Sequence, residues 1–250
     1  MPNNPTDVTP TDEVKAQLAP TGVLRAGVNM GNFLLVTGRT ADGGPEGVSP
    51  DMARAIAERL GVPLQLVPFP NPGELGDAVG SDLWDIGLIG AEPQRAEKIE
   101  FTAAYVEIEA TYLVPPGSSI QSVEDVDRPG VRIATPPRSA YGLWLDRNIK
   151  QATLVRADNA SVFKKFVDEQ LEALAGLRPA LLEDVKKLPG ARVLEGRFAT
   201  VQQAVGTLKA NAAGAAFLRD FVEEAKASGL VASLIDRHGV EGRLSVAPPA

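Results

Sequence analysis

The chain has 250 residues, 24 Gly, 20 Pro, no Cys and one His, and 25 Lys plus Arg against 32 Asp plus Glu leave a formal net charge of −7. Without cysteine there is no disulfide, zinc-thiolate site, iron–sulfur cluster or cysteine nucleophile; one His speaks against a His-rich metal site, and the acidic balance speaks against a nucleic-acid partner, which needs a basic surface to meet phosphates. Apolar residues at 44% and charged residues at 23% are those of a folded globular chain with room for one large domain or two small ones.

Residues 1–11, rich in Pro, Asn and Thr, are expected to be mobile. Thr11 or Asp12 caps a short helix to about Ala19, and Pro20-Thr21-Gly22 stops it. A buried strand is predicted over 23–28. Asp42-Gly43-Gly44-Pro45 is a turn signal. Ser49-Pro50-Asp51 reads as a helix start, with Met52, Ala53, Ile56, Ala57 and Leu60 on one face and Gly61 as the stop. Strands follow over 63–69 and 84–89, with a helix over 73–79 between them. The same rhythm returns: strands over 131–134, 153–156, 172–175 and 192–194, and helices over 139–148, 160–167 and 179–187. Residues 110–117, ending in Pro-Pro-Gly, read as a connector. Residues 207–238 read as helical with a break at Gly229, and residues 239–250 as a loose tail. This alternation implies an α/β fold with parallel sheets and helical crossovers, repeated in two lobes. No apolar run reaches the roughly 18 residues of a membrane-spanning helix.

Three segments after strand ends are candidates for a site, because in α/β sheets ligands sit beyond the carboxyl ends of strands. In Gly90-Ala91-Glu92-Pro93-Gln94-Arg95, a cation falls in the first turn of a short helix, where the dipole disfavours it. Either an anion or an i,i+3 pair with Glu92 accounts for it. In Pro136-Pro137-Arg138-Ser139-Ala140-Tyr141, a strand runs into a helix start whose free amides and hydroxyl suit an anion; plain capping by Ser139 is the alternative. Asn29 to Phe33 suits a small ligand if Phe33 is exposed and is ordinary core if it is buried. The single His, His238, is placed at a helix C-terminus in a structural role. There is no G-x-G-x-x-G, P-loop, G-x-S-x-G or H-E-x-x-H motif.

Taken together, LRAGV, GVSPDMARAIAERLGVPLQLVPF, DLWDIGLIGAEPQRAEKIEFTAAYVEIEATYLVPPGS and VEDVDRPGVRIATPPRSAYGLWL resemble the family 3 bacterial extracellular solute-binding proteins, the amino-acid-type substrate-binding components of ABC transporters. The resemblance covers roughly residues 20–234, and its most specific tract runs through Arg95 to Phe101 and Tyr105. It implies a type II periplasmic-binding-protein fold: a tail and short helix over 1–20, one lobe over 21–111 and 206–250, a second over 116–197, hinge crossings at 112–115 and 198–205, and a ligand cleft between the lobes. It implies that Arg95 binds a ligand carboxylate and that Ser139 with its helix start completes the anchor. Gly90, Ala91, Glu92, Asn32, Phe33, Ala140, Tyr141 and Leu177 make up the remaining expected ligand-binding set.

Two departures bear on the ligand. Small hydroxyl residues usually precede the Arg, where this chain has Gly90, Ala91 and Glu92; and an acid that meets the ligand's ammonium is replaced by Leu177. Ordinary L-α-amino acids are therefore expected to bind poorly, and apolar or hydroxylated carboxylates better. Residues 1–20 show no basic n-region or apolar h-region, so the chain as written is expected in the cytoplasm, whereas the family implies the periplasm. The expected protein is a monomeric, non-catalytic binder without cofactor or metal. Its partners are a small-molecule ligand and an ABC-transporter permease, with no nucleic acid and no insertion into the membrane. A dehydratase-like enzyme on the same fold and a cytoplasmic sensor that has lost transport are the alternatives.

Overall fold

The structure, a computed structural model, describes residues 9–250; the mobility expected of the leading residues lies outside them as far as residue 8. The chain divides into two compact units, Met1–Glu107 with Gln202–Ala250, and Ile108–Val201. In chain order the elements begin with α1 (Asp12–Leu18), β1 (Leu24–Asn29), β2 (Gly38–Arg39), β3 (Pro45–Glu46), α2 (Val48–Leu60) and β4 (Leu64–Phe69). They continue with α3 (Pro72–Asp77), β5 (Ile86–Gly90), α4 (Pro93–Ala96) and the long strand β6 (Ile99–Val114). The second unit adds β7 (Arg132–Thr135), α5 (Ala140–Asn148), β8 (Thr153–Arg156), α6 (Val162–Asp168), β9 (Ala173–Leu177), α7 (Arg178–Asp184) and β10 (Arg192–Val193). Strand β11 (Ala199–Leu208) carries the chain back, and α8 (Ala212–Ala227), α9 (Leu230–Arg237) and β12 (Ser245–Val246) complete the first unit.

Each unit is built on one plan. In the first, β1 lies between β4 and β5 and runs parallel to both; β11 is antiparallel to β5, with Gln203 opposite Gly90. In the second, β7 lies between β8 and β9, parallel to both, and the end of β6 is antiparallel to β9, with Tyr112 opposite Ala175. All five residues of β5 are buried, as expected of a strand with a neighbour on each side and cover on both faces. In the second unit, Tyr112, Ile133, Leu145 and Ala175 form a core on one face of the sheet, and Leu113, Ala134, Phe166 and Leu174 another on the opposite face.

Four local expectations need correction. Helix α2 starts at Val48 with Gly47 as its cap, not at Ser49. Gly47 stands at φ 151°, and a Cβ there would meet Leu35 O at 2.3 Å, so only glycine fits. Ser49 lies inside the first turn, its hydroxyl bonded to the buried Tyr105 hydroxyl at 2.9 Å. Residues 110–114, read as connector, are the buried end of β6. Residues 199–208 form a strand, and the following helix starts only at Ala212. The tail is not loose throughout: Ser245 and Val246 pair with Glu107 and Val106, and the Ala247 amide donates to Tyr105 O at 3.1 Å. Among the described residues no helix is long and apolar enough to cross a membrane.

Candidate functional site

In the first unit, β1 and β5 end side by side, which brings the Asn29–Phe33 and Gly90–Arg95 segments to one edge of the sheet. After β1 the chain turns on its asparagines. Asn29 Oδ1 accepts from the Gly31 amide at 3.0 Å, and Asn32 Oδ1 from the Leu34 amide at 3.1 Å. The turn buries Asn32 and leaves Phe33 48% exposed, an aromatic face available to a partner. After β5, the Ala91 amide donates to Gln202 O at 2.8 Å, and Glu92, buried, serves as the N-cap residue of α4 without capping it through its side chain. Arg95 is only 8% exposed; its Nη1 donates to Gly90 O at 2.7 Å. Its stem passes Gly76 of α3, where a Cβ would lie 3.7 Å from Arg95 Nε. Helix α4 has four residues, so its first and last turns coincide and the dipole has little hold on Arg95. The backbone carbonyl ending β5 holds one nitrogen of the guanidinium.

In the second unit the Thr135–Ser139 segment joins β7 to α5. Arg138 adopts φ 60°, a left-handed turn that reverses the chain into the helix. Ser139 caps α5: its Oγ accepts from the Gly142 amide at 3.0 Å and donates to Pro136 O at 3.3 Å. Ser139 and Ala140 are both buried. Gly142 is required by contact, since a Cβ there would lie 2.6 Å from Pro136 O and 2.7 Å from Ser139 Oγ. Burial pushes the Tyr141 phenol up to about 12, against a hydrogen bond with Ser139 that pulls it down. Arg156, at the end of β8, donates from Nη1 to Pro136 O at 3.3 Å. The Thr135 hydroxyl, fully buried, has no hydrogen-bond partner among the described residues. Leu177 ends β9, half-buried, and is the extended N-cap residue of α7. It shares its strand end with the Ser139 segment because β9 and β7 are parallel neighbours.

Sequence reading missed three polar groups close to these segments: Gln202, Glu107 and Glu109. Only the pairing of strands far apart in sequence brings them near. His238 caps the end of α9 and sits 2.8 Å from Asp51 Oδ2. Among the described residues no three His, Cys, Asp or Glu side chains gather as a metal-binding group.

The profile of the bacterial extracellular solute-binding proteins, family 3, matches residues 25–241, and the chain belongs to that family. It is 30% identical over 158 residues to cyclohexadienyl dehydratase of Pseudomonas aeruginosa, a match covering 61% of this chain and 58% of that enzyme's length. Among solved structures it is similar to an ancestral amino acid-binding protein, a precursor of cyclohexadienyl dehydratase (TM-score 0.70, 21% identity, 88% of this chain and 96% of that one). It is also similar to an amino acid ABC transporter substrate-binding protein of Streptococcus pneumoniae bound to L-arginine (TM-score 0.71, 20% identity, 88% and 96%). These likenesses show the fold, that of the type II periplasmic binding proteins.

Proposed function

We propose that the protein binds a small carboxylate-bearing or amino-acid-like solute by closure of its two units, as the binding component of an ABC-type uptake system. The observation that carries this reading is Arg95, a buried guanidinium tied to the carbonyl that ends β5, in a chain of a solute-binding family. A guanidinium fork suits a carboxylate held by two bonds. The Ser139–Ala140 start of α5 supplies backbone donors and a favourable dipole as the second unit's share. Contacts made from both units shift the population toward the closed form. Asn32, Phe33, Gly90, Ala91, Glu92, Tyr141 and Leu177 form the rest of the site in this reading. With Leu177 in place of an acid, an ammonium group has no partner on β9, and a buried unpaired ammonium costs several kcal/mol. Deaminated or hydroxylated carboxylates are therefore favoured over standard amino acids.

A thermal-shift screen of carboxylates, amino acids and their deaminated analogues identifies the solute. Charge-assisted bonds contribute about 1.5–3 kcal/mol each, so calorimetry should show Arg95→Ala weakening binding about tenfold to a hundredfold or more. Arg95→Lys should not restore it fully, because an ammonium has no planar fork. Unchanged affinity in Arg95→Ala removes the anchor; tight binding of several standard amino acids overturns the solute class.

A second reading, a dehydratase-like enzyme, is favoured by the 30% identity to cyclohexadienyl dehydratase. Glu92, the acid of the Gly90–Arg95 segment and buried, is then the proton donor. Mass spectrometry of the bound solute after long incubation tests it. Loss of one water, abolished in Glu92→Gln, supports the enzyme; an unchanged solute supports the binder.

A further inference from the structure

The chain passes between its units twice, at 107/108 within β6 and at 201/202 within β11. Within each unit a glutamate of β6 is tied across to the returning segment close to that passage. Gln202 Nε2 donates to Glu107 Oε1 at 2.9 Å in the first unit. In the second, Arg197 Nη1 donates to Glu109 Oε1 at 2.8 Å and Arg178 Nε to Glu109 Oε2 at 2.8 Å. Arg178 also reaches Leu194 O at 3.3 Å and the Gly196 carbonyl. Glu107 and Glu109, two residues apart, share one face of the strand. Each tie continues into a candidate binding segment. The Gln202 carbonyl receives the Ala91 amide at 2.8 Å, and Arg178 directly follows Leu177, the last residue of β9.

We infer that Glu107 and Glu109 are positioning residues: next to the passage between the units, Glu107 ties β6 to β11, and Glu109 ties β6 to the segment that leads into β11 and to the start of α7, and together they set how freely the units change their relative orientation. The two ties differ in chemistry. Glu107 needs only an acceptor, because its donor is a neutral amide. Glu109 needs its charge, because both its donors are guanidinium groups and charge-assisted bonds are the stronger kind. The inference extends the solute-binding reading to the control of closure, but its test uses the solute-free protein, so failure of the carboxylate assignment leaves the result unaffected.

The chain has no native cysteine. Spin labels on Ser228→Cys and Asn159→Cys, both exposed and one in each unit, report the inter-unit distance distribution by double electron–electron resonance. Polar pairs that are partly open to water, as these are, bias populations about two- to fivefold. Glu107→Ala and Glu109→Ala should each raise the population outside the wild-type peak by about that factor. Glu107→Gln, whose amide oxygen still accepts from Gln202, should keep the wild-type distribution. Thermal midpoints taken in parallel separate loss of fold from loss of restraint; if Glu109→Ala does not fold, Glu109→Gln takes its place, with a smaller broadening expected. Distributions of the folded Glu107 and Glu109 variants that superimpose on wild type, or Glu107→Gln as broad as Glu107→Ala, overturn the inference.

Discussion

The two units open with the same clasp and place it in different surroundings. In the first, Arg25 on β1 donates from its amide and Nε to Asp85 Oδ2 at 2.9 and 3.0 Å, and from Nη2 to Oδ1 at 2.6 Å. In the second, Arg132 on β7 does the same to Glu172: its amide and Nε reach Oε2 at 2.8 and 2.9 Å, and Nη2 reaches Oε1 at 2.8 Å. Each acid stands just before the third of its unit's mutually parallel strands, β5 or β9. Each guanidinium also holds the carbonyl of a residue in left-handed backbone, Asp82 at φ 60° or Gln170 at φ 50°. Solvent is the difference. The Arg25 and Asp85 side chains are 17% and 4% exposed, and those of Arg132 and Glu172 are 43% and 35%. Bonds of nearly equal geometry thus have unequal worth, because an exposed charge that loses its partner returns to water and a buried one cannot.

The sharpest way to break this comparison is to remove the acids one at a time. Asp85→Ala takes the carboxylate from a guanidinium that is only partly open to water and should cost about 3 kcal/mol of unfolding free energy, the upper end for hydrogen bonds to a charged group; Glu172→Ala should cost a small fraction of that. Urea denaturation measures both, and equal losses would mean that burial does not separate the clasps. A smaller effect is expected at the two proposed binding segments, which the units build differently, from a side chain in one and a helix start in the other. Gly142→Ala forces a methyl against Pro136 O and Ser139 Oγ, and overpacking of this kind costs about 1–3 kcal/mol. A thermal midpoint at the wild-type value would show that the Ser139 turn yields.

Acid sharpens the same contrast. Hydrogen bonds from Arg132 hold the Glu172 carboxyl below its ordinary value, with burial working against them. A depressed acid contributes stability that is present above its unfolded pKa of about 4.3 and is lost as the pH falls through the lower folded value. Thermal midpoints recorded downward from pH 6 should therefore fall below about pH 4.5, and less steeply in Glu172→Gln. An identical slope in the variant removes Glu172 from the acid response. The smallest change is expected at Gly76→Ala, beside Arg95. Its new methyl would meet Arg95 only at ordinary contact distance, and alanine in place of glycine favours a helix by up to about 1 kcal/mol. A destabilised Gly76→Ala would show Arg95 packed more tightly than its neighbours indicate.

Much of this architecture can be read in the residues themselves. The strand–helix alternation, the apolar face of α2 and the Ser139 cap are local, carried by periodicity and by one hydroxyl. The elements that escape such reading are those whose reason lies elsewhere in the chain. Residues 110–114 of β6 do not alternate, because neighbours cover both faces, and the Pro-Pro-Gly that follows suggests a linker. Strand β11 carries Gln202 and Gln203, polar residues that read as surface, yet Gln203 is buried opposite Gly90. The site shows the same division. Arg95 and Ser139 stand out as charge and cap in their local context. Gln202 with Glu107 and Arg197 with Glu109 meet across 95 and 88 residues of sequence, a distance no local pattern spans.

The split composition of the first unit carries a consequence for the order of assembly. Residues 108–201 form an uninterrupted stretch, whereas β5 lacks its antiparallel neighbour until β11 emerges, and α1 lacks its seat on α8, where Gln17 Oε1 receives the Gly214 amide at 2.8 Å. Contacts between segments so far apart close slowly, because the loop between them must be ordered first. On the ribosome the inserted unit is therefore complete while the unit that began first still waits for its closing strand, with the edge of β5 open to other chains in the meantime.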